Sequence, residues 1–195
     1  MAFTPLPIYL ASASPRRRIL LAQLGLPFEV IPSQVEEAPP RGDPAAAVRS
    51  LALGKAQQVA RDLTEGLVIG ADTVVVLGEE ILGKPSGPGE ARAMLRRLSG
   101  ARHRVLTGVA VVNVSRGEAL VDHEETEVIF RELTPEEIEA YVASGEPLDK
   151  AGAYAVQGLG AVLVRRLEGC YFNVVGLPLA RLADMLSFFG VRVLG

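Results

Sequence analysis

The spacing of apolar residues changes period several times along the chain, and each change predicts an element. Ile8 to Ala11 is a short apolar run of strand type. Ser14-Pro15 is a helix start, an N-cap oxygen before a residue whose missing N–H costs nothing there, and the helix runs to a stop at Gly25. Phe28 to Ile31 predicts a second strand, and the polar, Pro-rich stretch from Ser33 to Gly42 a loop. Asp43-Pro44 repeats the start signal for a helix ending near Leu63, followed by an alternating strand from Leu67 to Leu77 and a turn at Gly78 to Glu80. Pro88 to Leu98 reads as a helix. Val105 to Val114 and Ala119 to Phe130 read as strands joined by Ser115-Arg116-Gly117-Glu118, a hairpin signal that predicts an antiparallel pair. Thr134-Pro135-Glu136-Glu137 is a capping box for a helix to Ser144 with its stop at Gly145. A glycine-rich segment from Ala151 leads to a predicted strand from Ala161 to Leu167, a turn at Glu168-Gly169 and a last helix from Leu179 to Phe189. Helices alternate with strands early and a hairpin interrupts later, which predicts the α/β class: a mixed parallel and antiparallel sheet flanked by helices, in a single domain over 1–195.

Composition narrows the chemistry. With 49% hydrophobic and 22% charged residues the chain is of globular type, and a formal net charge of -3 offers no overall positive field for a polyanion. Nucleic acid is therefore not an expected partner, and any phosphate site must be local. The lone Cys170 cannot close an internal disulfide, which fits a reducing, cytoplasmic location. Two histidines, His103 and His123, make a His-rich zinc site improbable and leave carboxylates as the natural ligands for a hard divalent cation. No apolar run reaches the ~18 to 20 residues of a membrane-spanning helix, and the first residues lack a basic segment before an apolar one.

Several side chains stand where packing alone would not put them. In the first helix Ile19, Leu20, Leu21 and Leu24 centre the predicted buried face, so Arg16 and Arg17 flank it at the first turn and Arg18 faces solvent. Two guanidinium groups leaning inward at a helix N-terminus oppose the macrodipole unless an anion is bound, although a solvated basic run has the same sequence. In the second helix Lys55 falls in line with Val48, Leu51, Ala52 and Val59, either as a functional cation or as a snorkelling one. Only three of the 20 basic residues are lysines, Lys55, Lys84 and Lys150, so each stands out in an arginine-rich chain. Lys84 sits in the tight turn Gly83-Lys84-Pro85, while Lys150 beside Asp149 also suits a structural ion pair. Asp72 is the one ionisable group in the strand from Leu67 to Leu77, sharing a face with Val68, Val74 and Val76, where a carboxylate must be paired, hydrogen-bonded or metal-bound. Glu36 and Glu37 could give oxygens to a divalent ion or simply be solvated. Gly158-Leu159-Gly160 lacks the third glycine of a dinucleotide fingerprint, no P-loop ending is present, and Cys170 has no histidine close in sequence to activate it. Taken together, inward arginines, lysines and an Asp/Glu set suit a nucleoside triphosphate with its metal.

Read in order, Ser12-Ala13-Ser14-Pro15-Arg16-Arg17, Val35-Glu36-Glu37, Lys55-Ala56, Gly70-Ala71-Asp72-Thr73-Val74, Gly83-Lys84-Pro85, Leu98-Ser99-Gly100, Asp149-Lys150-Ala151-Gly152-Ala153-Tyr154, Gln157-Gly158 and Val175-Gly176-Leu177-Pro178 resemble the Maf family of nucleoside triphosphate pyrophosphatases over almost the whole chain. The resemblance implies an elongated, inosine triphosphatase-like fold with a central cleft between two lobes. It also implies cleavage between the α and β phosphates with a divalent cation (Mg, Mn or Co), releasing a nucleoside monophosphate and pyrophosphate. Arg16, Thr73 and Gln157 match the subgroup acting on dTTP and UTP, with modified pyrimidine nucleotides such as 5-methyl-UTP as further substrates of the same pocket. The implied roles are Asp72 as general base, Glu36 and Asp72 as metal ligands, and Ser12, Arg16, Arg17, Lys55, Thr73, Lys84 and Gln157 as substrate-binding residues. Thr73 would face opposite to Asp72 on a regular strand. The expected partners are a small-molecule nucleotide and a second copy of the chain, without membrane or nucleic acid. The rival reading is a non-catalytic nucleotide-binding regulator of septum formation.

Overall fold

A computed structural model describes residues 6–35 and 42–194. In chain order the elements are β1 (Ile8–Leu10), α1 (Pro15–Ala22), β2 (Glu29–Val30), α2 (Pro44–Ala60), β3 (Leu67–Leu77), β4 (Glu80–Leu82), α3 (Pro88–Leu98), β5 (Arg102–Asn113), β6 (Glu118–Phe130), α4 (Pro135–Ala143), β7 (Val164–Glu168), α5 (Tyr171–Val175) and α6 (Leu179–Phe188), with 3-10 turns at Glu146–Asp149, Ala151–Ala153 and Gly158–Leu163. Among the described residues the sheet runs β2-β1-β3-β5-β6-β7, with β4 also on β3. β1 is parallel to β2 and β3, and the remaining pairs are antiparallel, which gives the expected mixed sheet.

The helix starts follow the sequence signals. Asp43 accepts from the backbone N–H groups of Ala45 and Ala46 at the head of α2, and Thr134 with Glu137 forms a complete capping box on α4. Ser14 occupies the N-cap of α1 without a side-chain cap hydrogen bond.

One sheet face is covered by α2, whose Val48, Ala52, Ala56 and Val59 pack against Val68, Val74 and Val76 of β3 and Leu106, Ala110 and Val112 of β5. The opposite face carries two cores. Leu20 and Leu21 of α1 join Leu182, Met185 and Leu186 of α6 over Leu67, Ile69 and Val109, while α3, α4 and Tyr154 cover Val75, Val105 and Phe130. Two glycines set the height of α2. A Cβ on Gly70 would lie 2.9 Å from the Ala56 nitrogen and closer still to the Ala52 carbonyl, and one on Gly108 would run into Val48 and lie 2.8 Å from the Arg49 nitrogen. The helix rests directly on the backbone of the sheet.

Four local readings change. Ile19 is 60% exposed, because the eight-residue α1 buries only the narrow stripe of Leu20 and Leu21. β4 begins at Glu80 where a turn was predicted, and it forms by pairing with Val75 to Leu77. The strand expected from Ala161 starts at Val164, since Gly158–Leu163 is wound as a 3-10 turn held by side chains described below. Tyr171–Val175 is a short helix with no sequence expectation attached to it.

Candidate active site

A gap in strand pairing creates the site. β1 covers one edge of β3 only at Leu67 to Ile69, and β4 covers the same edge at Val75 to Leu77. The stretch from Gly70 to Val74 is left uncovered between them, and a cleft of about 370 Å³ opens there. Because the cleft wraps around a strand edge, side chains from both sheet faces reach it. Asp72 arrives from the α2 face and Thr73 from the opposite face, the alternation the sequence predicts.

Ser12, Arg16, Arg17, Lys55, Asp72, Thr73, Lys84 and Gln157 all line this one cleft. Glu36, the remaining predicted ligand, and Glu37 lie outside the described residues. The loop after β1 brings Ser12, which accepts a hydrogen bond from the Ser14 N–H, and then the first turn of α1 with Arg16 and Arg17. The loop after β4 brings the exposed Lys84.

Lys55 and Asp72 form the buried centre. Nζ donates to Oδ1 at 2.6 Å, with the side chains 7% and 9% exposed. The requirement that a carboxylate among valines be paired is met here by a cation that α2 lowers onto β3. Arg17 is fixed by its Nε to the Gly176 carbonyl at 2.8 Å and by a terminal nitrogen to the Thr73 hydroxyl at 3.0 Å. Thr73 and Thr107 hydroxyls meet at 2.9 Å, and Thr107 donates its only proton to the Asn173 carbonyl at 2.9 Å. Thr73 must then be the donor to Thr107, so the bonds run in one direction from Arg17 through both threonines to α5. The Asn173 amide in turn donates to the Val105 carbonyl and the Thr126 hydroxyl, both at 2.9 Å.

On the other rim, Asp149 accepts from Lys150 at 2.6 Å and lies 4.0 Å from Arg16, and Lys150 also donates to the Glu146 carbonyl. The structural ion pair considered for Lys150 is thus present. Tyr154 lines the cleft and meets His103 Nε2 at 2.7 Å beneath it. Burial drives His103 down to a pKa of about 4, and burial pushes the Tyr154 and Tyr141 hydroxyls above their ordinary range. Burial also raises the Glu146 carboxyl, but hydrogen bonds from Gly160, Leu159 and Tyr141 and the nearby Lys150 charge outweigh it and hold that group below its usual value.

The donor set can be weighed against a divalent cation. No three His, Cys, Asp or Glu side chains gather among the described residues. A magnesium-type ion commonly takes one or two protein carboxylates and fills its shell with water and substrate phosphates. Asp72 in a cleft lined by Arg16, Arg17, Lys55 and Lys84 fits an ion that enters with a triphosphate and not one caged by protein ligands.

Thr107, Asn173, Glu146 and Tyr141 escaped sequence reasoning. Thr107 and Asn173 meet partners more than thirty residues away, and Glu146 meets the backbone of Leu159 and Gly160 across a loop, so only a polar residue inside an apolar stretch, such as Asn173 in Tyr171–Val175, could have flagged them.

The Maf-like protein family matches residues 7–189. A protein named dTTP/UTP pyrophosphatase from Moorella thermoacetica is 59% identical over 189 residues, covering 96% of this chain and 97% of the relative. A protein of the same name from Pelotomaculum thermopropionicum is 57% identical over 188 residues, covering 96% and 98%. Among solved structures, a nucleoside-triphosphatase / dITP/XTP pyrophosphatase from Mycobacterium abscessus is matched at TM-score 0.44 and 17% identity over 72% of this chain and 95% of that one. With the match spanning nearly its whole length, the chain belongs to the Maf family.

Proposed function

We propose that this protein hydrolyses dTTP and UTP, and related modified pyrimidine nucleotides, to the nucleoside monophosphate and pyrophosphate. The observation that carries the reading is the convergence of Arg16, Arg17, Lys55, Lys84 and Asp72 on one cleft at the open edge of β3. Relatives named for dTTP and UTP at more than half identity support the substrate class.

The four cations surround a triphosphate and stabilise the charge that builds on the departing pyrophosphate. Arg17 is held in advance by Gly176 and Thr73, so it meets the phosphate chain without first being ordered. Among the described residues Asp72 is the one carboxylate fixed at the cleft's buried centre, where it takes the proton from the water that attacks the α-phosphorus. Lys55 fixes the orientation of that carboxylate. A divalent cation (Mg, Mn or Co) held by Asp72 and Glu36 would supply Lewis-acid neutralisation of the phosphates when bound. Gln157 reads the base edge, its amide offering a donor and an acceptor to the N3–H and carbonyl of uracil or thymine. A cytoplasmic location and a homodimer belong to the same proposal. No helix among the described residues is long and apolar enough to cross a membrane.

The test is pyrophosphate release from a panel of nucleoside triphosphates with Mg²⁺, Mn²⁺ and Co²⁺ in turn. Turnover highest with dTTP and UTP is expected. Nucleotide binding without turnover under every metal would replace the enzyme by a regulator.

A further inference from the structure

The segment that carries Gln157 is fastened by two side chains from outside it. Glu146 Oε2 accepts from the Leu159 N–H at 2.9 Å, and Oε1 accepts from the Gly160 N–H at 3.0 Å and from the Tyr141 hydroxyl at 2.9 Å. The Tyr141 oxygen accepts in turn from the Ala155 N–H at 3.1 Å. Backbone groups before and after Gln157 are therefore pinned to one Tyr–carboxylate pair. Gly158 fits the arrangement: its φ of +65° is in the left-handed region, and a Cβ there would come 2.5 Å from Glu146 Oε2. The 3-10 turn that carries Glu146 ends at Asp149, which accepts from Lys150 and lies 4.0 Å from Arg16 on the phosphate side. One short turn thus references both the end of the site that grips phosphates and the loop at the other.

We propose that Glu146, with Tyr141, is a positioning residue for base selectivity: it holds the 155–160 loop at the height at which the Gln157 amide meets a uracil or thymine edge. The inference rests on the reading of Gln157 given above. The N1–H and carbonyl edge of guanine offers a glutamine amide the same donor and acceptor as uracil, set farther out by the second ring, so the side chain alone discriminates poorly. Discrimination comes from where the loop holds the amide relative to phosphates fixed elsewhere in the cleft. With the loop loosened, the amide follows either base.

The test measures kcat and KM for dTTP and dGTP with wild type, Glu146→Gln, Tyr141→Phe and Gln157→Ala, each first shown to be folded by circular dichroism. In Glu146→Gln an NH₂ replaces one acceptor and faces a donor, and about one lost hydrogen bond corresponds to about a tenfold fall in the dTTP/dGTP ratio of kcat/KM. The fall is expected in the dTTP value with dGTP turnover not reduced, and a smaller fall of the same kind is expected in Tyr141→Phe. A merely structural role would lower both substrates alike, and that result overturns the proposal. If Gln157→Ala lowers the ratio while folded Glu146→Gln does not, the positioning role fails alone. If Gln157→Ala leaves the ratio unchanged, the base-reading role of Gln157 fails and this inference with it. Hydrogen exchange on the wild type needs no variant: the Leu159 and Gly160 amides should be protected, although Leu159 is 60% exposed. Exchange at the rate of an open loop would remove the clamp.

Discussion

Placing an alanine at Gly70 should disable the site without touching any group that contacts substrate. The new Cβ would point from β3 into α2, 2.9 Å from the Ala56 nitrogen, 3.0 Å from its Cβ and deep inside the contact distance of the Ala52 carbonyl oxygen. The colliding atoms are backbone, so no side-chain rotation relieves them. To restore ordinary carbon–oxygen contact the helix must rise by about 1 Å. Ala52 and Ala56 flank Lys55 on α2, so its attachment point moves with them. Lys55 Nζ now sits 2.6 Å from Asp72, and a 1 Å rise carries it past the ~3.2 Å limit of a hydrogen bond. Overpacking of this kind costs about 1 to 3 kcal/mol of stability, or roughly 2 to 12 °C in Tm for a chain of this size. The carboxylate proposed as the base then loses the lysine that orients it, and misplacing it by a similar distance should cost activity on the order of 100-fold. Gly54→Ala on the same helix is the control: nothing lies within 4 Å of its added Cβ, and removing a helical glycine should stabilise by up to about 1 kcal/mol. The assay is pyrophosphate release from dTTP beside thermal unfolding for Gly70→Ala and Gly54→Ala. Wild-type kcat/KM in Gly70→Ala would refute the reasoning that direct helix-on-sheet contact sets the Lys55–Asp72 geometry.

Lys55→Met strands a buried carboxylate and should cost about 3 to 5 kcal/mol in urea unfolding, whereas the double variant with Asp72→Asn should regain much of that stability and no turnover. Thr107→Val removes the acceptor for Thr73 and so loosens Arg17; KM for dTTP should rise several-fold, with about 1 to 2 kcal/mol lost in stability, and an unchanged KM would detach the threonine chain from substrate binding. His103 is neutral in the fold with a pKa of about 4, against an ordinary value of 6.5, so the unfolded chain binds the extra proton between these values. Its contribution is intact above pH 6.5 and is lost as the pH falls to 4, about 3 kcal/mol in all; His103→Leu should flatten that part of the stability profile, and an identical slope would place the loss elsewhere.

The elements legible in the sequence are those whose own residues dictate them. β3 and α3 have the bounds their patterns predict, because alternation over eleven residues and a Pro start with an apolar stripe leave little to tertiary context. β4 is three residues long and exists by pairing with β3, so nothing local announces it. The run from Ala161 to Leu167 reads as a strand, but its first three residues belong to the 3-10 turn Gly158–Leu163, with Glu146 accepting from two of that turn's N–H groups across more than ten residues of sequence. The site divides along the same line. Charged groups that would meet substrate stand out against an apolar background, as Asp72 and Lys55 do. Groups that hold them, such as Thr107 through the Asn173 carbonyl, become visible only once the chain is folded.

Hydrolysis of dTTP in heavy-oxygen water, with wild type and folded Asp72→Asn side by side, tests the central claim most directly. The account predicts pyrophosphate and dTMP, with the label in dTMP from attack at the α-phosphorus, and loss of turnover in the variant. Release of orthophosphate with dTDP, or full turnover by Asp72→Asn, would contradict it.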